Sequence, residues 1–363
     1  MKFKFIHTSD IHLGMKFNIK EFSIKERKKR REELWDTFEE IIRIAKDEDV
    51  QYLFIVGDLT ESEYISFKLL NKIAKIFESI KNTNIIISCG RSDAYNINSM
   101  YEYVEWPENV YIIKSTNSVQ KLMFPEDNVC LYSLSWDKAS KNHNSQLIYD
   151  ISVEQNKLNI LLLSCDTYME DEMLSINADL IKNKFDYCAL GGKHNYEKVQ
   201  NNVIYCGTPE PLSFEEVKEH GIVKGILEKN NIFFDFHPIA KRRFIIREIE
   251  LDSTFGYNKT LDLIKFSGDT FSNIKDYIKI ILTGFVNTEI SMDEIENEAK
   301  QFFYYIEFDE KFTYKSTEEK KYVDNEFNIV ESYKLQFENL QNKLEQKALK
   351  LGFEVLRKEK VVK

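Results

Sequence analysis

Between residues 1 and 240, short and almost wholly apolar runs alternate with stretches whose apolar positions recur every three or four residues. The runs fall at 52–56, 85–88, 129–134, 160–163, 187–190 and 203–206. This alternation is the pattern of an α/β layered core, with strands separated by covering helices. The helical spacing is clearest between the first two strands, where Leu34, Phe38, Ile41, Ile42 and Ala45 fall on one face, followed by Asp47-Glu48-Asp49. The opening Met1-Lys2-Phe3-Lys4-Phe5 alternates like a strand and runs straight towards Asp10, which does not fit a signal peptide.

Polar signatures sit just past the ends of these runs. Asp10-Ile11-His12 follows the first strand, Gly57-Asp58 the second, and His194 the run at 187–190. Open α/β sheets place their sites beyond the carboxyl ends of strands. Carboxylate and imidazole groups arriving there from separate strands suit a hard or borderline divalent ion, and an Asp between two such ions can bridge them. The bland alternative is that Asp10 and His12 cap a helix and fill a polar pocket. The joint presence of Asp58 and His194 favours metal.

At 363 residues the chain exceeds the usual single domain, which predicts two domains and an appendage. No apolar run approaches the length of a membrane span, so no membrane is expected. The five cysteines, Cys89, Cys130, Cys165, Cys188 and Cys206, form no Cys-x-x-Cys pair and lie in apolar runs. They read as a reduced, cytoplasmic core. A net charge of −10 excludes a protein coated in positive potential, while a local basic groove stays open.

Around Pro238 the pattern changes. Strands are predicted at 242–251, 277–282 and 302–308, with a helix over 291–301, so a small α+β domain follows the first. The expected organisation is a core over 1–240, the small domain over 241–308, a charged linker over 309–326 and a helical tail over 327–363. In the tail Val330, Tyr333, Phe337, Leu340 and Leu344 form an amphipathic stripe that stops near Gly352.

Five segments then carry a resemblance. Phe5-Ile6-His7-Thr8-Ser9-Asp10-Ile11-His12-Leu13-Gly14, Phe54-Ile55-Val56-Gly57-Asp58-Leu59 and Ala189-Leu190-Gly191-Gly192-Lys193-His194 resemble successive motifs of the calcineurin-like metallophosphoesterases. Within them the match is to the SbcD and YhaO branch of DNA repair exonucleases. Tyr205-Cys206-Gly207-Thr208-Pro209-Glu210-Pro211-Leu212, with Glu219-His220-Gly221 after it, is similar to the segment that closes that domain. Five motifs in order are a far stronger signal than Asp-x-His alone.

The resemblance implies a fold and an activity: a two-sheet metallophosphoesterase sandwich flanked by helices, with a small α+β cap domain, a C-terminal helix and phosphodiester hydrolysis at DNA ends. Such enzymes use two metals about 3.5–4 Å apart to activate water and stabilise the phosphodiester oxygens. By resemblance, Asp10, His12 and His194 match the ligands of the first metal, with Asp58 as the bridge. The second metal fares differently. Its Gly-Asn-His-Asp motif reads Gly90-Arg91-Ser92-Asp93 here, the expected strand-end His is Ser164, and the first His of Gly-His-x-His is Gly192. Ligands and general acid are lost together. The expectation is one divalent cation, Mn²⁺ by preference, and weak or altered hydrolysis; the alternative is a non-catalytic subunit that binds DNA ends or an ATPase.

Arg91 carries a sharp reading, in which its guanidinium fills the vacated site as a catalytic cation suited to phosphate, and bland ones, in which it is an exposed loop residue or pairs with Asp93 or Asp166. Ser164 and Cys165 are candidate substitute ligands, but adjacent strand residues face opposite ways, so at most one could serve, and the core reading is preferred. Lys28 and Arg30, in the basic run before the first long helix, work against the helix dipole and read as DNA contacts or as a solvated face. Arg242 and Arg243 carry the same two readings. The resemblance further implies DNA, an SbcC-type coiled-coil ATPase and a homodimer as partners.

Overall fold

The computed structural model describes residues 2–20, 22–96, 98–137, 145–167, 174–228 and 231–315, together with 348, 351, 352 and 355. The chain divides into two compact units, Met1–Arg243 and Phe244–Lys363.

In the first unit the elements run β1 (Lys2–Thr8), α1 (Ile24–Asp47), β2 (Tyr52–Val56), α2 (Phe67–Glu78), β3 (Asn84–Ser88), β4 (Val110–Ile113), β5 (Gln120–Phe124) and β6 (Val129–Leu134). They continue with α3 (Gln146–Tyr149), β7 (Leu158–Ser164), α4 (Ala178–Ile181), β8 (Tyr187–Gly191), β9 (Glu197–Gln200), β10 (Val203–Tyr205), β11 (Gly221–Glu228) and β12 (Asn231–Pro238). Two six-stranded sheets result, ordered β12-β11-β1-β2-β3-β4 and β5-β6-β7-β8-β10-β9. This is the mixed α/β, two-sheet sandwich flanked by helices that the sequence predicts.

Strand alternation builds the core. Phe5, Phe54, Val56 and Ile86 of one sheet meet Leu131, Ile160, Leu162 and Ala189 of the other, all essentially inaccessible. The intervening Leu53, Ile55, Ile85 and Ile87 face the opposite way and are equally buried. That outer face is closed by α1 and α2, whose Phe38 and Phe77 rings lie 5.8 Å apart. Each such side chain contributes about 1.5–3 kcal/mol by leaving water. The far face of the second sheet buries Leu161, Leu163 and Leu190 against Ile148 and Ile181.

The basic start of α1 is stabilised locally. Ser23 and Glu26 form a capping box, with the Ser23 amide donating to Glu26 at 2.6 Å and the Glu26 amide to Ser23 Oγ at 3.3 Å. This places a carboxylate among the cations of the first turn, which offsets their unfavourable placement.

β1, β2, β3 and β4 are mutually parallel, as are β6, β7, β8 and β10. Their carboxyl ends therefore collect at one rim. The sheets come so close there that a Cβ on Gly191 would fall 1.7 Å from the Val56 carbonyl oxygen. Only glycine permits that approach.

The second unit contains β13 (Phe244–Leu251), α5 (Tyr257–Lys265), α6 (Thr270–Lys275), β14 (Tyr277–Asn287), α7 (Met292–Ala299), β15 (Tyr305–Glu310) and β16 (Thr313–Lys315). β13, β14 and β15 form a parallel sheet, and β16 pairs with the far end of β14. Most of residues 309–315, expected to open the linker, are therefore sheet: Asp309 and Glu310 pair with Ile281 and Leu282, Thr313–Lys315 form β16, and Phe312 between them is buried in the unit's core. The rest of the expected linker, and the tail stripe from Val330 to Leu344, lie outside the described residues.

All five cysteines are buried and free. Among the described residues, no helix is long and apolar enough to cross a membrane.

Candidate metal centre

The loops after β1 and β2 run side by side. The amides of Asp10, His12 and Leu13 donate to the carbonyls of Gly57, Asp58 and Leu59 at 2.9–3.0 Å. Asp10, His12 and Asp58 all adopt positive φ, between 50° and 52°. Left-handed backbone is uncommon outside glycine and costs more at His than at Asp. Here it turns three polar side chains inward together.

Asp10, His12 and His194 each offer a ligand atom, and these atoms lie within 4.8 Å of one another. Asp10 and His12 are buried, while the His194 side chain is one-third exposed. Both Asp10 oxygens are 3.1 Å from the Gly192 amide. His12 Nδ1 donates to Glu61 Oε1 at 2.7 Å, and His194 Nδ1 to Glu216 Oε1 at the same distance. A carboxylate can only accept, so in the neutral ring the proton is assigned to Nδ1 and Nε2 keeps the lone pair.

The Nε2 of His12 is buried without a hydrogen-bond partner. An orphaned buried nitrogen beside a carboxylate and a second imidazole is a donor set that fits a divalent cation.

The electrostatics agree. Burial pushes the Asp10 carboxyl up to about 6 despite the nearby histidines. At His12 burial opposes the charge, but the Glu61 hydrogen bond and the Asp58 and Asp10 charges outweigh it and push the imidazole up to about 9. His194 is raised too: Glu216 and Asp10 overcome its burial. A pocket whose carboxylate resists charging while its imidazoles hold protons is one in want of a cation.

Asp58 stands at the edge of this group, its Oδ2 3.8 Å from His12 Nε2. Its other oxygen is engaged, because Oδ1 accepts the Ser92 amide at 2.7 Å. The loop carrying Ser92 is itself pinned. Asp93 accepts from the amides of Asp58, Leu59 and Gly90 and from the Tyr101 hydroxyl, at 2.7–3.1 Å. Burial and the Asp58 charge push Asp93 up to about 7. The turn presses so tightly on Asp58 that a Cβ on Gly90 would fall 2.3 Å from its Oδ1. Ser164 Oγ is buried nearby without a hydrogen-bond partner, 2.9 Å from where a Cβ on Gly57 would stand.

A protein from Bacillus subtilis (strain 168) named as the uncharacterized metallophosphoesterase YhaO is 24% identical to this chain over 280 residues, 75% of this chain and 68% of its own length. The likeness supports the metallophosphoesterase superfamily. No protein-family model matches the chain. Two solved structures align over 65% of it: GAP50, the anchor in the inner membrane complex of Plasmodium (12% identity, TM-score 0.40, 84% of that chain), and TT1561 of Thermus thermophilus (11%, 0.39, 99%). At those scores neither bears weight.

The other predicted site residues fall in different surroundings. Arg91 is exposed on the turn after β3, next to Ser92. Lys28 is exposed, 3.9 Å from Glu32. Arg30, expected as a DNA contact or on a solvated face, is fully buried instead. It donates to Glu33 and Glu210 at 2.6 and 2.7 Å and to the Pro211 carbonyl at 2.5 Å. Its helical position turns it inward, where two carboxylates neutralise it. Arg242 is largely buried and donates to Glu33 at 2.5 Å, while Arg243 is half-buried.

Sequence reasoning missed Glu61 and Glu216. Glu61 stands three residues after Asp58, but nothing in its neighbourhood marks it as facing His12, 49 positions earlier.

Proposed function

We propose that this chain is an SbcD- and YhaO-like DNA-processing metallophosphoesterase that holds one divalent cation, Mn²⁺ by preference, and hydrolyses phosphodiesters at DNA ends weakly. The carrying observation is the Asp10, His12 and His194 triangle, with both imidazoles oriented by glutamates. Asp10, His12 and His194 would hold the cation, with Asp58 at its edge. When bound, it supplies Lewis-acid polarisation of a phosphoryl oxygen and activation of water.

The chain's own residues do the rest. Glu61 and Glu216 keep the ring protons on Nδ1, and Gly192 and Ser92 fix the two aspartates through backbone N–H groups. Arg91, exposed one residue from Ser92, offers a fixed cation to a phosphate at the rim. No histidine stands in the 90–93 turn to protonate a leaving oxygen. Losing a positioned general acid costs about 10²–10⁴ in rate.

One observation favours a second reading, a non-catalytic subunit that grips DNA ends or an ATPase. The Asp58 oxygen available to a second cation is held by the Ser92 amide, in a loop that Asp93 pins. The proposed partners, DNA, an SbcC-type ATPase and a second copy, rest on the resemblance, and the proposed cytoplasmic location on the five buried, free cysteines.

The test is Mn²⁺-dependent nucleotide release from linear duplex and single-stranded DNA, beside an Asp58→Ala control. Release lost in the control supports hydrolysis. No release, with DNA binding intact, moves the protein to the second reading. Arg91→Asn should weaken phosphate and DNA affinity; unchanged affinity removes Arg91 from the site.

A further inference from the structure

We infer that Glu61 and Glu216 are positioning residues that set the cation affinity of the centre by fixing which nitrogen of His12 and His194 carries the proton. The inference rests on the one-cation reading above and deepens it. Neither carboxylate is itself among the clustered ligand groups, and each acts through the imidazole it touches.

The geometry is matched on the two sides. Each glutamate places Oε1 2.7 Å from an Nδ1, so each ring presents Nε2 to the centre, and the two ring centroids lie 5.2 Å apart. A neutral imidazole free to choose its tautomer presents a usable lone pair only part of the time. A carboxylate on the other nitrogen removes that freedom and raises the basicity of the ligand atom.

The two supports are anchored differently. Glu61 is one-fifth exposed, on the turn after Asp58. Glu216 is buried, and its Oε2 also accepts the Leu212 amide at 2.8 Å and the Thr208 hydroxyl at 3.1 Å. Thr208 in turn lies 2.7 Å from His220 Nδ1. The same 208–212 segment carries Glu210, which pairs with buried Arg30 and accepts from Thr37 and the Lys241 amide. The buried Arg30 therefore serves the loop that holds Glu216, and through it His194.

This difference selects the variants. Glu61→Ala removes a partly exposed carboxylate whose role at His12 is separable from folding, whereas Glu216→Ala also strips the 208–212 loop. The experiment is calorimetric titration of the full-length chain with Mn²⁺ after chelation, with circular dichroism to check the fold. Glu61→Ala should bind about 10–100-fold more weakly. Glu61→Gln, whose amide oxygen still accepts from Nδ1–H, should recover most of the loss. Glu216→Gln should fall less than Glu216→Ala. Wild-type affinity in a folded Glu61→Ala overturns the inference, as does a Gln variant no better than Ala. If the wild-type chain binds no Mn²⁺, the one-cation reading itself fails, a result distinct from either.

Discussion

On one side of Asp58, Oδ2 looks towards a buried His12 Nε2 with Asp10 and His194 beside it. On the other, Oδ1 is closed off by a backbone amide at 2.7 Å, with an unpaired serine hydroxyl buried nearby. The first side is made of side chains that offer ligand atoms, the two imidazoles being oriented from behind by carboxylates. The second is made of peptide groups and small residues, Gly90, Ser92 and Ser164, that satisfy or crowd the aspartate without offering a cation anything comparable. The difference between the two sides lies in what faces each oxygen of a single carboxylate.

The comparison breaks first if the side with the clustered ligand atoms does not bind a cation. Asp10→Ala should lower Mn²⁺ affinity by more than about 100-fold, since losing even an orienting partner costs about 10–100-fold. Equilibrium dialysis measures it, and an affinity within tenfold of wild type would dissolve the distinction between the halves.

A second prediction concerns pH. A cation must displace the protons that His12 holds up to about pH 9 and Asp10 up to about pH 6. Binding therefore releases protons and strengthens as pH rises. Between pH 6 and 9 the affinity should climb about tenfold per unit for each proton displaced. Titration in buffers of different ionisation enthalpy reports the release directly; an affinity flat across that range contradicts the assigned ligands.

The smallest expected effect lies on the other side. Ser164→Ala removes a buried hydroxyl that has no hydrogen-bond partner, so stability should stay within about 1 kcal/mol of wild type or rise slightly. Mn²⁺ affinity should not move. A loss of affinity would make Ser164 a substitute ligand and reopen the second half.

Much of this was legible in the sequence because it is local. The apolar runs that became β2, β6 and β8 announce themselves by composition, and the α1 stripe from Leu34 to Ala45 by spacing. Asp10, His12, Asp58 and His194 stand just past strand ends where parallel sheets place sites.

What escaped was set by partners far along the chain. β11 is a strand because it pairs antiparallel with β1, about two hundred residues earlier, and β12 follows from β11. Arg30 reads as one more surface cation in a basic run until Glu210, 180 positions on, is seen to receive it. Glu61 and Glu216 escaped for the same reason. Residues 309–315 look like a charged linker because Asp309, Glu310 and Lys311 alternate around few apolar groups, yet pairing with β14 makes most of them sheet.

The most direct test of the central claim is the cation stoichiometry of the full-length chain, by metal analysis after equilibrium dialysis against saturating Mn²⁺. One per chain, reduced to none by His194→Ala, is the predicted result. Two per chain would mean that the Ser92 amide does not close the second half, and none would mean that the Asp10, His12 and His194 group is a polar pocket and not a metal centre.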